Sequence, residues 1–242
     1  MTGGSSGIGA ALAQELGKRG WRPVLLARRE DRLREVAGEC DGEYEVCDVG
    51  DREAVERAAR RILERHPRIA LLVNNAGIPG RAGFLDIEPA RLEEVLRINF
   101  LAGVWCLRAF LPGLEAAGRA DLVNVVSVAG TVAWPASGPY SASKHAQLAF
   151  SRSLAGELRG RGITVHTVNP GFVETEGFPQ RGTLGSTLLR RVVIDPDDVA
   201  RHIVRVVERG RRETFVPWWY RSAALVQAIV PGLLARVVPR SR

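Results

Sequence analysis

Lysine is nearly absent from this chain. Only Lys18 and Lys144 stand among 34 basic residues, and the rest are arginine. A lysine here therefore needs a reason that arginine does not meet. Cysteine is scarce as well. Cys40, Cys47 and Cys106 are odd in number, widely spaced and without a CxxC pair, which excludes a disulfide scaffold. The four histidines lack ligand spacing, which argues against a structural zinc site. No apolar run reaches the length of a bilayer span and no signal peptide precedes the first motif, so a reducing, cytoplasmic setting is expected.

What is present is ordinary globular material: 242 residues, 45% hydrophobic and 25% charged, enough for one good-sized domain and too apolar for a disordered chain. The net charge of +7 is unevenly placed. Arg201–Arg242 holds nine arginines against two acids, so the first 200 residues balance. A basic terminus without a recognition motif or an RNA-stacking signature argues against nucleic acid as a partner.

Short apolar runs (Pro23–Ala27, Tyr44–Cys47, Leu71–Asn74, Leu122–Ser127, Ile163–Val168 and Thr214–Val216) alternate with helical patterns. The latter are Ile8–Arg19, Arg29–Glu39, Glu53–His66, Ala90–Leu111, Ser141–Leu158 and Pro196–Glu208. Asp195-Pro196 signals the start of the last one, an N-cap followed by proline at the first helical position. Alternation of this kind predicts an α/β fold with a parallel sheet covered on both faces, and ligands outside the carboxyl ends of its strands.

Thr2-Gly3-Gly4-Ser5-Ser6-Gly7-Ile8-Gly9 opens a helix. Such a loop lets backbone N–H groups approach a phosphate at a helix N-terminus, although a plain turn has the same composition. Tyr140 and Lys144 lie four residues apart, so they stack on one helical face. A neighbouring ammonium favours phenolate and makes the tyrosine a usable acid or base; the bland alternative is a surface tyrosine and a solvated lysine.

Taken together, TGGSSGIG (Thr2–Gly9), Asp48-Val49, NNAG (Asn74–Gly77), Asn99, Ser127, YSASK (Tyr140–Lys144) and NPGFVET (Asn169–Thr175) resemble the short-chain dehydrogenase/reductase family over essentially the whole chain. The resemblance implies a single Rossmann-type, doubly wound domain over residues 1–217 and an NAD(P)-dependent oxidoreductase. It implies a catalytic set of Asn99, Ser127, Tyr140 and Lys144. Tyr140 is then the acid/base, Lys144 holds the nicotinamide ribose and lowers the Tyr140 pKa, Ser127 hydrogen-bonds the substrate carbonyl, and Asn99 holds a water. For the cofactor it implies Gly3, Ser5, Ser6, Gly7 and Ile8 at the phosphates, with Asp48, Val49, Asn75, Ala76 and Gly77 around the adenosine. Pro170, Gly171, Val173 and Thr175 are implied at the nicotinamide, with Tyr140 and Lys144 beside them.

Arg28 and Arg29 follow the apolar run Val24–Ala27, where an acid would bind the ribose 2′-OH of NAD. Arg28 in that place, as the main partner of a 2′-phosphate with Arg29 as a second candidate, favours NADP(H), with NAD(H) as the alternative; a solvated charge cluster at a helix start is the bland reading. Residues 172–194 are expected to form a substrate lid, hinged at Gly177, Gly182 and Gly185 and lined by Phe178, Leu184, Leu188 and Leu189. Trp134 and Pro135 are expected in the same pocket. An apolar ketone or secondary alcohol fits that lining; packing of these residues on one another or on a second subunit is the rival reading, and a 3-ketoacyl thioester is the rival substrate. A non-catalytic scaffold of the same fold is a further alternative. Homodimers or homotetramers are expected.

Residues 218–242 form a basic, aromatic, helical extension. Trp218, Trp219, Tyr220 and Arg221 suit an anionic membrane surface; packing on the pocket or on a partner subunit is the equal alternative. One element is missing from the pattern. The glycine-rich loop should follow a central strand, and only Met1 precedes it. Without that strand both its neighbours would lack a partner, so the expectation is an upstream start, or a version that folds poorly.

Overall fold

The computed structural model describes residues 1–133, 137–180 and 192–231. In chain order the elements are α1 (Gly7–Gly17), β1 (Val24–Ala27), α2 (Glu30–Glu39), β2 (Glu43–Val46), α3 (Arg52–Arg65) and β3 (Leu71–Asn74). Then come α4 (Pro89–Leu96), a π-helical turn (Arg97–Leu101), α5 (Ala102–Ala116), β4 (Ala120–Val125) and a 3-10 turn (Val128–Gly130). They are followed by α6 (Gly138–Glu157), β5 (Ile163–Pro170), α7 (Pro196–Glu208), β6 (Glu213–Val216) and α8 (Tyr220–Ile229).

All strand pairs are parallel. β1 pairs with β2, and β3-β4-β5-β6 form the second group. Alternate strand residues face opposite layers, as the period of two requires. Leu72 and Leu122 pack with Val55, Ile62, Cys106 and Leu114 of α3 and α5, whereas Val73 and Val123 pack with Leu12, Leu16, Val199 and Ile203 of α1 and α7. This is the doubly wound arrangement.

Between β1 and β3 lie Met1 and Thr2. The amide of Leu26 donates to the Met1 carbonyl at 2.9 Å, and the Thr2 amide donates to the Val73 carbonyl at 3.0 Å. The expectation that both neighbours lack a partner is thus corrected where Met1 and Thr2 bridge β1 to β3. That is also where the glycine-rich loop leaves the sheet.

Two boundaries differ from the sequence reading by more than two residues. α4, the π turn and α5 run on as one helix, Pro89–Ala116, of 28 residues. Its extension past Leu111 passes through Pro112, since packing of Phe110 and Leu114 outweighs the lost hydrogen bond. By length and composition this helix could cross a membrane, with a window of mean hydropathy 1.4, which the broken apolar runs of the sequence had not suggested. Its inner face, with Val95, Ile98, Asn99, Cys106 and Phe110, is buried within the fold. α6 begins at Gly138, with Pro139 in its first turn, so Tyr140 lies inside the helix.

All three thiols are buried, and burial raises Cys47 to about 11 and Cys106 to about 12. They are kept as inert core groups.

Candidate active site

The strands end at one cleft of about 810 Å³. Its floor at one end is the loop Thr2–Gly9. Gly3 and Gly7 adopt φ of 67° and 55°, in the left-handed region that favours glycine. A Cβ on Gly9 would lie 2.1 Å from the Gly3 carbonyl oxygen, so the helix can approach the loop only without a side chain there. Ser6, at the N-cap of α1, makes no side-chain cap bond, so the first amides of that helix have no hydroxyl partner from it. Amides at a helix N-terminus, in a glycine cradle, fit a diphosphate.

The loop is pinned from β3. The Thr2 hydroxyl accepts from the amides of Asn75 and Ala76, both at 3.0 Å, and the Asn75 side-chain amide donates to the carbonyls of Thr2 and Gly3. Asp48 accepts from the Gly50 amide at 2.9 Å and lies 4.0 Å from Arg28. Gly3, Ser5, Ser6, Gly7, Ile8, Arg28, Asp48, Val49, Asn75, Ala76 and Gly77 all line the cleft, and the space fits a nicotinamide dinucleotide.

At the far end the cleft meets α6. Ser127 sits just past β4; its hydroxyl accepts from the Ala129 amide at 3.1 Å and lies 3.5 Å from the Pro170 carbonyl. Tyr140 and Lys144 face the same space, with the Lys144 Nζ 5.8 Å from the centre of the Tyr140 ring. Pro170, Gly171, Val173 and Thr175 form the opposite wall.

Asn99 is not in the cleft wall. It lies behind, 1% exposed, on the π turn. Its Oδ1 accepts from the Ile78 amide at 2.7 Å, and its Nδ2 donates to the Ile78 carbonyl and to the Ser143 hydroxyl. The wider π turn sets this side chain between the Gly77–Ile78 segment and α6.

The electrostatics correct one expectation. Lys144 does not lower the Tyr140 pKa in this structure. Burial raises the phenol to about 12, against a hydrogen bond with Ser127 that lowers it, and burial lowers Lys144 to about 7. The reason is that the lysine is itself dry, so the ammonium that was to favour phenolate is itself disfavoured.

Several pairings here were not read from the sequence. Arg29 bridges the phosphate loop and the segment after β5: its guanidinium donates to Glu176 at 2.7 Å and lies 3.4 Å from the Ser5 hydroxyl. A basic residue 147 positions from its partner leaves no local signal. Phe178 stacks near Tyr140, ring centres 5.5 Å apart, and Phe172 packs edge-on to Tyr220 at 6.3 Å. Tyr220 is 5% exposed and lies against Gly171, where a Cβ would meet its ring at 2.0 Å. Trp134, Pro135, Gly182, Leu184, Gly185, Leu188 and Leu189 lie outside the described residues.

A sequence profile for short chain dehydrogenases matches residues 1–183. The chain is 31% identical over 240 residues to the human protein named short-chain dehydrogenase/reductase 3, covering 96% of this chain and 78% of that one. It is 37% identical over 187 residues to a putative ketoacyl reductase of Streptomyces coelicolor, covering 72% and 70%. Among solved structures it resembles a metagenomic short-chain oxidoreductase in complex with NADP, with a TM-score of 0.73 and 33% identity over 86% of this chain and 88% of that one. With this cleft and these relatives, the chain belongs to the short-chain dehydrogenase/reductase family and is an NAD(P)-dependent oxidoreductase.

Proposed function

We propose that this enzyme uses NADP(H) to interconvert an apolar ketone and its secondary alcohol. The observation that carries the reading is the convergence of Ser127, Tyr140 and Lys144 on the end of a cleft whose other end is an arginine-flanked phosphate cradle.

When bound, the nicotinamide supplies or takes the hydride. The chain's own groups handle the oxygen. The Ser127 hydroxyl and the Tyr140 phenol donate hydrogen bonds to the carbonyl oxygen, where negative charge develops. With its pKa near 12, Tyr140 is protonated at neutral pH, so in the reductive direction it starts as the acid and gives its proton to that oxygen. Lys144 would hold the nicotinamide ribose and, as an ammonium, stabilise the phenolate left behind. Asn99 would hold the water that passes a proton back from solvent.

The NADP(H) preference rests on the end of β1. Arg28 is exposed at the cleft, 4.0 Å from Asp48, where its guanidinium would meet a 2′-phosphate. Glu30, the first acid after it, is turned outward, accepting from Arg34 at 2.8 Å and from the Tyr44 hydroxyl at 3.3 Å. Arg28→Asp should move the preference toward NAD(H); unchanged cofactor kinetics would sink this assignment.

Phe178 beside Tyr140, with Phe172 in the cleft wall, supports an apolar substrate. The Streptomyces relative supports the second reading, a ketoacyl thioester. NADPH oxidation against a panel of apolar ketones and ketoacyl thioesters, with Tyr140→Phe as control, separates the two.

We further infer a homodimer or homotetramer, supported by Leu101 at 37% exposure on the outer face of the long helix. Peripheral attachment to an anionic membrane from the cytoplasmic side is supported by α8 and the residues before it, where Trp218 and Ile229 are 79% and 76% exposed.

A further inference from the structure

Lys144 is a buried cation without a counter-ion. It is 3% exposed, and among the described residues no carboxylate pairs with it. Its ammonium instead donates to two neutral oxygens. One is the Val125 carbonyl at the end of β4, 3.2 Å away and two residues before Ser127. The other is Oε1 of Gln147, 2.8 Å away and itself 2% exposed. Three residues apart on α6, Lys144 and Gln147 are neighbours on one helical face.

The chemistry of that partner is selective. An aliphatic side chain would leave the ammonium one acceptor short in a dry site, where an unmet charged donor is costly. A carboxylate would meet the donor but set a negative charge beside the Tyr140 phenol and oppose phenolate. A neutral amide oxygen meets the donor and leaves the phenol alone. Val125 and Gln147 together also fix where the ammonium stands relative to the ring.

We propose that Gln147 is a positioning residue of the reaction, its amide oxygen anchoring the Lys144 ammonium beside Tyr140. This rests on the reading of Tyr140 and Lys144 as working groups.

The other charged groups around the site are turned elsewhere. On α6 His145 is hydrogen-bonded to the Ser141 carbonyl and Arg152 to Glu213. On β5 His166 meets Asp121 of β4, and on α4 Arg91 is paired with Glu94. Glu93 of α4 and Arg97 of the π turn are exposed, and the 3-10 turn Val128–Gly130 carries no charge. Among the described residues, that leaves Tyr140 as the titratable group facing the ammonium. Burial acting alone lowers the lysine toward neutrality, so the strength of its remaining hydrogen bonds decides its charge at working pH.

The scarcity of lysine makes the test direct. A chain labelled with ¹⁵N-lysine carries two side-chain signals, Lys18 and Lys144, and both can be titrated in the cofactor-free protein. Gln147→Leu should lower the Lys144 midpoint by about one pH unit, and Gln147→Glu should raise it, with Lys18 unmoved. The pH profile of kcat for ketone reduction should move in the same sense in each variant. Should Gln147→Leu fail to fold, Gln147→Met takes its place, and Gln147→Glu is read independently. A Lys144 midpoint unchanged in the variants overturns the proposal. Full activity of Tyr140→Phe would instead overturn the reading of the site, while leaving the lysine midpoints as measured.

Discussion

Burial shifts both Tyr140 and Lys144 toward their uncharged forms, which has consequences for both activity and stability. For activity, Tyr140→Phe removes the acid but keeps the ring against Phe178, so kcat/KM should fall by about 10²–10⁴ while cofactor binding, read by NADPH fluorescence, changes little. For stability the sign follows from proton counts. The Lys144 pKa is lowered on folding from 10.5 to about 7, so between those values the unfolded chain binds the extra proton. Stability should therefore rise with pH across that window, by up to about 1.4 kcal/mol per pH unit, and the full cost of burying the charge is felt below it. The Met1 ammonium, lowered to about 6, acts in the same sense at lower pH. Comparing urea unfolding of wild type and Lys144→Met at pH 7 and 9 isolates the lysine. The variant should be the more stable at pH 7, with the gap clearly narrowed at pH 9 and closed only as the pH approaches 10.5. A gap that does not narrow would show that Lys144 is not titrating in this window.

At the scale of elements, the segment after β5 ties the two ends of the cleft together. Arg29 and Glu176 join it to the phosphate loop, but both side chains are around half exposed, so the pair contributes little and is screened by salt. Glu176→Gln should speed cofactor dissociation by no more than about fivefold at low salt, and stopped-flow dissociation in high salt should erase the difference. A tighter joint lies at Gly171. A methyl group there would overlap the Tyr220 ring, so Gly171→Ala has to displace α8 and should cost about 1–3 kcal/mol in urea unfolding.

These couplings mark where sequence legibility stops. Strand and helix positions were readable because each run of Leu and Val alternates faces and each helix repeats near 3.6 residues. The cleft residues were readable because their motifs sit at strand ends. Asn99 was readable as a motif but not as a bridge between Ile78 and Ser143, since that depends on a π turn without a composition signal. Arg29 with Glu176 and Gly171 with Tyr220 were invisible because their partners are far apart in sequence. The direction of the Tyr140 shift was misread because helical spacing reports proximity and says nothing about how dry the pair is.

For the whole molecule the question is what the basic end of the chain is doing against an otherwise neutral body. α8 answers two needs with different residues. Tyr220 points inward, packing with Val128, Val132 and Phe172 beside the cleft. Trp218, Leu225 and Ile229 point outward, at 79%, 53% and 76% exposure. The two alternatives read from the sequence, packing on the pocket and meeting a membrane, are therefore compatible, since one helix has a face for each. Deleting residues 218–242 would confuse them by uncovering Phe172. The outward face is separable: Trp218→Ser, Leu225→Ser and Ile229→Asn together leave Tyr220 in place. Attachment through this face predicts co-sedimentation of the wild type with phosphatidylserine-containing vesicles, weakened by salt as charge attraction to anionic lipid requires and much reduced in the triple variant. Turnover of a water-soluble ketone should be unchanged by the substitutions. Equal sedimentation of both proteins would remove the outward face from the argument, and a change in oligomeric mass of the variant by light scattering would assign it to a second copy of the chain.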